Sequence, residues 1–156
     1  MSSKRAMALP NIHNPEDFAE LMRRIENLKS DSPRRWGKMT PSQACVHLCD
    51  ATRAAMGEIT FRWRGNFLTK WVGHTFFLSS RPWPRSLPTA PELMQACPHE
   101  DFEVNRRMLM ETLRRAVQKG TEGGWGDSPV FGKLSGLRWG EAIYKHVDHH
   151  LRQFGV

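Results

Sequence analysis

The apolar positions of the chain recur at helical spacing in four long segments that are separated by polar turns. In the first segment, Phe18, Leu21 and Ile25 are spaced so that they share one face of a helix. The same three- and four-residue spacing returns in three later segments. We therefore predict four helices, over residues 15–29, from Thr40 to near Gly57, over residues 102–119, and from near Ser135 to Phe154.

The predicted helices begin at residues that are typical of helix N-termini. Asn14 is a good capping residue, and Pro15 suits the first helical position. Thr40 and Gln43 have the spacing of a capping box, in which each side chain accepts a hydrogen bond from the other residue's backbone amide. Asp101 can cap the third helix with its side chain alone.

Residues 61–100 have a weaker pattern. Phe61-Arg62-Trp63 is compatible with an extended segment, and residues 67–78 are compatible with a short helix. Residues 79–100 contain five prolines, which exclude a long helix there. A loop of this length in a compact domain is often functional, so two interpretations stay open. The loop covers an active site, or it is a plain excursion on the surface.

Few stretches of the chain alternate between apolar and polar residues as β-strands do. The predicted fold is therefore all-α, an antiparallel four-helix bundle with a long irregular middle connection. A length of 156 residues suits one domain. We expect residues 1–13 to form an N-terminal tail and residues 14–156 to form a single helical-bundle domain.

A formal net charge of +7 raises the question of a nucleic-acid partner. The basic residues are spread as pairs, such as Arg23-Arg24 and Arg106-Arg107, and no recognition motif is present, so no nucleic-acid partner is expected. No apolar run approaches the roughly 20 residues that span a bilayer. The N-terminus has no convincing secretory signal. We expect a cytoplasmic protein without a membrane partner.

The three cysteines, Cys45, Cys49 and Cys97, have neither the number nor the spacing of a disulfide framework. Cys45 and Cys49 lie four residues apart on the predicted second helix, so a cysteine metal site is one interpretation. The favoured interpretation is that both are buried free thiols, which pack as small apolar side chains.

The last predicted helix carries three of the seven histidines. His146 and His150 are spaced i, i+4, so their rings are neighbours at the apolar stripe of that helix. His149 points further round, towards polar surroundings. Two imidazoles one turn apart can bind one metal ion, and a helix bundle can supply a third ligand from a facing helix. His47, which flanks the apolar stripe of the second helix, is the best candidate for that ligand.

A single inward-facing histidine is more often a hydrogen-bonded core residue than a metal ligand. This explanation is harder to apply to two such residues at i, i+4, because buried polar groups need partners and adjacent charged imidazoles repel. His13, His74 and His99 lie in tail or irregular regions and are treated as incidental. Three imidazoles suit a divalent ion, zinc or nickel by preference, with iron or manganese as alternatives.

Residues 131–135, the pair Trp139-Gly140 and residues 144–155 form a specific C-terminal pattern. Residues 35–43 followed by His47-Leu48 extend it, and residues 90–93 match more weakly. Together they resemble a family of domains of unknown function in the DinB/YfiT-like metalloenzyme superfamily. The chain departs from that pattern at Ser128-Pro129, where related sequences often have His-Pro.

The resemblance implies a DinB-like four-helix bundle with a three-histidine metal site. One ligand comes from the second helix and two from the last, at positions that match His47, His146 and His150. Superfamily members include S-transferases and isomerases that use low-molecular-weight thiols. The expected function is therefore metal-assisted transfer of such a thiol to a small electrophilic substrate. Metal-dependent hydrolysis and non-catalytic binding of a metal or ligand are the alternatives, and relatives suggest a homodimer.

Two further hypotheses concern residues outside the three proposed ligands. Four arginines could receive carboxylates of a thiol cofactor, although loop arginines are usually solvated: Arg34, Arg35, Arg81 and Arg85. Gln153 stands at a position that often carries glutamine in the superfamily. It either orients a metal ligand or hydrogen-bonds the next helix, and the sequence favours neither.

Overall fold

A computed structural model describes residues 9–60, 71, 79–85, 101–128 and 131–156. Within these ranges the chain is all-helical, without a named strand; one isolated bridge pairs Ser128 with Gly132. No helix in the described part is long and apolar enough to cross a membrane. The named helices are α1 (Pro15–Asn27), α2 (Pro41–Ala55), α3 (Phe102–Lys119) and α4 (Gly136–Gln153).

All four predicted helices are confirmed, and so are their predicted starts. Asn14 accepts hydrogen bonds from the backbone amides of Glu16 and Asp17. Thr40 and Gln43 form the capping box, with bonds of 3.0 and 3.1 Å. The last two helices are capped by single acceptor side chains, those of Asp101 and Ser135.

One shared apolar core lies between the four helices. Its most buried side chains include Leu21 and Ile25 of α1, Leu48 of α2, Leu113 of α3 and Leu151 of α4. Each buried side chain of this kind stabilises the fold by roughly 1.5–3 kcal/mol. α2 packs most extensively on α3. Both α1 and α2 also contact α4. The contact between α2 and α4 brings the inward face of α2 to the C-terminal half of α4.

The chain is already packed before α1 begins. Ile12 is fully buried in the core. Asn11 Nδ2 donates a hydrogen bond of 2.9 Å to the carbonyl oxygen of Leu137, and the ring of His13 lies 3.2 Å from the carbonyl oxygen of Gly136. Packed structure therefore begins ahead of residue 14, within the segment predicted as an N-terminal tail.

Cys45 and Cys49 are both buried. Cys49 Sγ lies 3.2 Å from Thr112 Oγ1 on the facing helix. Burial raises the pKa of the Cys49 thiol, which favours its neutral form. Both side chains thus behave as the small apolar residues that the favoured interpretation expected. The predicted extended segment at 61–63 lies outside the described residues, as does the predicted helix at 67–78 apart from Trp71.

Candidate metal centre

Three histidines from α2 and α4 meet at the contact between these helices. The ligand nitrogens of His47, His146 and His150 all lie within 4.8 Å of one another. His47 Nε2 lies 2.9 Å from His146 Nε2, and the ring centroid of His150 lies 5.0 Å from that of His47 and 5.1 Å from that of His146. The structure therefore brings together all three residues predicted for the site, which could hold one metal ion.

The helix faces explain why these rings meet. His47 directly precedes Leu48, a core residue, and is itself only 4% exposed, so the packing of α2 turns its imidazole inward. On α4, Val147 and Leu151 are buried in the core. The two histidines of the site directly precede these residues, so they lie at the edge of the buried stripe and face α2.

Burial keeps the imidazoles of α4 neutral. Desolvation lowers the pKa of His146 well below the usual value, and the nearby rings of His47 and His150 lower it further. Desolvation also lowers the pKa of His150, to about 3, with a smaller contribution from His47. A neutral imidazole has one nitrogen with a free lone pair, which is the form that binds a metal ion.

The positions and chemistry of the three rings fit a first-row divalent ion. With a zinc–nitrogen distance of about 2.05 Å, nitrogens around one tetrahedral zinc ion lie roughly 3.3 Å apart. Small changes in the side-chain χ angles would bring nitrogens that lie within 4.8 Å of each other to that spacing. In the described part of the chain, this group contains no thiol and no carboxylate.

A glutamine holds one of these ligands in a defined orientation. Gln153 Oε1 accepts a 2.8 Å hydrogen bond from Nδ1 of His150. Gln153 Nε2 donates a 2.8 Å hydrogen bond to the carbonyl oxygen of Trp36. Gly37 leaves room for this contact, because a Cβ atom there would lie 2.3 Å from Gln153 Nε2. Of the two roles considered for Gln153, the geometry supports orientation of a ligand.

Two tryptophans enclose the outer side of the site. The Trp83 ring centroid lies 5.0 Å from that of His146 and 5.8 Å from that of His149. The Trp36 ring centroid lies 5.8 Å from that of His149. His149 was expected to face polar surroundings, but it packs against two indole rings, because the segments that carry Trp36 and Trp83 both fold onto this part of α4. Desolvation accordingly lowers the pKa of His149.

The described part of the 79–100 loop packs directly against the site. Lys145 Nζ donates a 2.6 Å hydrogen bond to the carbonyl oxygen of Ser79. Trp83 is only 8% exposed, and the Arg85 guanidinium lies 5.0 Å from the centre of the Trp36 ring. Residues 79–85 thus pack against the candidate metal centre through Ser79 and Trp83. Residues 86–100 lie outside the described residues.

The sequence did not single out Trp36 or Trp83 as residues of the site. Trp83 lies between Pro82 and Pro84. An aromatic residue held between two prolines in a loop could have marked this position as a candidate residue of the site. Among the histidines treated as incidental, His13 packs edge-on against Trp125. The other two, His74 and His99, lie outside the described residues.

Comparison of the chain with models of protein families, with curated proteins and with solved structures finds no match. The chemistry of the site itself is therefore the guide to its function.

Proposed function

We propose that this protein is a metal-dependent transferase that joins a low-molecular-weight thiol to a small electrophilic substrate. The observation that carries the proposal is the convergence of His47, His146 and His150, whose ligand nitrogens lie within 4.8 Å of one another. Zinc or nickel is the proposed ion, because three imidazoles suit both, with iron or manganese as alternatives.

The number of ligands supports a catalytic rather than a structural ion. Structural zinc sites use four protein ligands, whereas catalytic sites use three and keep one position for water or substrate. The fold also has its own apolar core, drawn from all four helices. An ion at the edge of that core is therefore better explained by chemistry than by a need to hold the fold together.

The ease of ionisation favours a thiol as the nucleophile. The described ligand group consists of imidazoles alone, with no carboxylate among them. A thiol has a pKa of about 8.5, whereas that of bulk water is about 15.7, so a thiol needs far less help to ionise. A divalent ion would supply positive charge that lowers the pKa of a thiol further.

In the proposed reaction, the thiol sulfur attacks an electrophilic carbon of the substrate and forms a carbon–sulfur bond. The leaving group departs with its bonding electron pair, and the thiol proton passes to solvent. The three histidines act as ligands, and Gln153 keeps His150 in the required tautomer. Trp83, which covers His146, excludes water that would compete with the thiol.

We also propose that the four helices form an antiparallel, DinB-like bundle. The support is the origin of the three ligands, one from α2 and two from α4, which is the distribution that the sequence resemblance implied. A crystal structure would test this proposal, and a parallel arrangement of α3 and α4, which follow each other in the chain, would contradict it.

The proposed activity can be tested with monochlorobimane, which becomes fluorescent when a thiol displaces its chloride. The zinc- or nickel-loaded protein should accelerate its reaction with mercaptoethanol, and His146→Ala/His150→Ala should abolish the acceleration. His13→Ala is the matched control, because this histidine lies against Trp125 and should leave the rate unchanged. Ester hydrolysis without added thiol would instead indicate a hydrolase. Absence of turnover with either nucleophile would indicate a binding protein.

A further inference from the structure

The arginines of this protein divide into two groups by their partners. Eight arginines, all on or beside helices, form ion pairs with carboxylates: Arg23, Arg24, Arg53, Arg106, Arg114, Arg115, Arg138 and Arg152. The others have no carboxylate partner in the described part of the chain: Arg34, Arg35, Arg81, Arg85 and, on α3, Arg107. Four of these five lie in two loops. The first loop joins α1 to α2, and the second is the described segment 79–85.

Both loops lie beside the metal centre. The first is tied to the end of α4, since the backbone amide of Arg35 donates a 2.8 Å hydrogen bond to the carbonyl oxygen of Gln153. The second places Trp83 against His146. Arg85 joins the two loops, with its guanidinium carbon 5.0 Å from the centre of the Trp36 ring. Unpaired positive charge is thus concentrated at the edge of the histidine site.

The site itself would add to this positive charge. The three histidines bind as neutral imidazoles, so they do not offset the two positive charges of a divalent ion. The described ligand group includes no carboxylate that would do so. A negatively charged molecule is therefore the ligand that this region favours electrostatically.

Trp36 adds a further unsatisfied group. Its indole Nε1 is buried and has no hydrogen-bond acceptor among the described residues. A buried donor without a partner costs about 1–3 kcal/mol, so an acceptor that reaches it is favoured. A ligand oxygen that reaches Trp36 Nε1 beside the Arg85 guanidinium would supply this acceptor.

We infer that the metal centre takes an anionic small molecule whose oxyanion group is bound by Arg85 at the Trp36 ring. An arginine stacked on an aromatic face presents the edge of its guanidinium, which matches a carboxylate or phosphate in two parallel hydrogen bonds. The inference rests on the proposed function, because the anionic group belongs to the thiol or to its electrophilic partner.

Two thiols that differ in charge test this inference. Calorimetric titration of the zinc-loaded protein should show mercaptosuccinate binding at least about tenfold more tightly than mercaptoethanol, as one charge-assisted hydrogen bond would provide. The affinity for mercaptosuccinate should fall as ionic strength rises. Displacement of mercaptosuccinate by succinate indicates a carboxylate site, and displacement by inorganic phosphate indicates a phosphate site; either supports the inference.

Arg85→Ala should remove most of the difference between the two thiols, while the zinc content and the affinity for mercaptoethanol stay the same. Arg107→Ala is the matched control, because Arg107 is also exposed and has no carboxylate partner in the described chain, but it lies on α3. Equal affinities of the two thiols in the wild type would overturn the inference, and so would an Arg85→Ala variant that binds mercaptosuccinate as the wild type does.

The metal content of the same preparation keeps this test separate from the proposed function. A preparation with zinc that shows no preference for the anionic thiol overturns the anion site alone. A preparation that takes up no zinc contradicts the proposed function. In that case, succinate binding is compared between the metal-free wild type and the metal-free Arg85→Ala variant. This comparison still decides whether Arg85 binds anions.

Discussion

Gln153 Oε1 accepts a 2.8 Å hydrogen bond from Nδ1 of His150, and this contact decides which nitrogen of the histidine is available. A carboxamide oxygen is an acceptor only, so Nδ1 must carry the proton. The amide orientation is fixed in turn, because Gln153 Nε2 donates to the carbonyl oxygen of Trp36. The lone pair of the neutral His150 ring is therefore on Nε2 and is free for a metal ion.

Replacement of Gln153 should weaken metal binding without removing a ligand. Gln153→Ala releases the His150 ring to adopt either tautomer and other orientations, so we expect zinc affinity to fall by about 10–100-fold. A competition titration with a zinc chelator measures this change. The nitrogen chemical shifts of His150 in the metal-free protein report the tautomer directly.

Gln118→Ala, at an exposed position of α3, is the matched control for Gln153→Ala and should bind zinc as the wild type does. If Gln153→Ala folds and keeps wild-type zinc affinity, Gln153 has no role in holding the site.

Gly37 allows the approach of Gln153, and it also has a backbone conformation that favours glycine, with a φ of 77°. Gly37→Ala should lower the free energy of unfolding by about 1–2 kcal/mol through backbone strain, and it should also weaken zinc binding by displacing the Gln153 amide. Gly120→Ala separates these effects, since Gly120 has a φ of 71° but no atom within 4 Å of the added Cβ. Thermal unfolding and zinc titration of both variants measure them. If both Gly37→Ala and Gly120→Ala lose zinc affinity, or if neither does, the approach of Gln153 to Gly37 is not what holds the site.

The depressed histidine pKa values predict how the stability of the metal-free protein depends on pH. Below about pH 6.5 the histidines of the unfolded chain take up protons, whereas buried His146 and His150 do not. The unfolded state then binds more protons, so the free energy of unfolding should fall as the pH decreases from about 6.5 towards about 3. It should be insensitive to these groups above about pH 6.5.

Thermal unfolding in the presence of a chelator tests this dependence between about pH 7 and about pH 5, above the range in which carboxylates titrate. The His146→Ala/His150→Ala variant should show a smaller decrease over that interval. A wild-type midpoint that stays constant or rises as the pH falls would show that the rings are not held neutral.

Trp83 shields His146, so its removal should change the acidity of that ring. Trp83→Ala admits water to the site and should raise the pKa of His146 towards its usual value of about 6.5, because desolvation is the main cause of the lowered pKa. Trp83→Phe keeps an aromatic ring and is the matched control. Histidine proton resonances, followed as the metal-free variants are titrated, measure the shift; an unchanged titration in Trp83→Ala would show that other groups provide the burial.

The helices and the ligands could be predicted from the sequence because both follow from local spacing. A capping box such as Thr40 with Gln43 involves residues three apart, and His146 and His150 share a face because they are four apart. The placement of His47 needed one further step, namely that α2 faces α4. Its position beside Leu48 on the apolar stripe was sufficient for that step.

The surroundings of the ligands could not be predicted, because they depend on loops with no periodic pattern. Trp36 and Trp83 are distant in sequence from α4 and from each other, and only the folded loops bring them to His149. The burial of Ile12 was missed for the same reason, since a single apolar residue before a helix has no period. Whether Gln153 faced a ligand or another helix depended on where the carbonyl of Trp36 lay.

The metal content of the purified protein is the decisive measurement for the three-histidine site. Elemental mass spectrometry should find about one zinc or nickel ion per chain in the wild type, the stoichiometry of a three-histidine site. His47→Ala and His146→Ala/His150→Ala should lose the ion while circular dichroism shows that they remain helical. A wild-type protein that stays metal-free after incubation with zinc and with nickel would contradict the account.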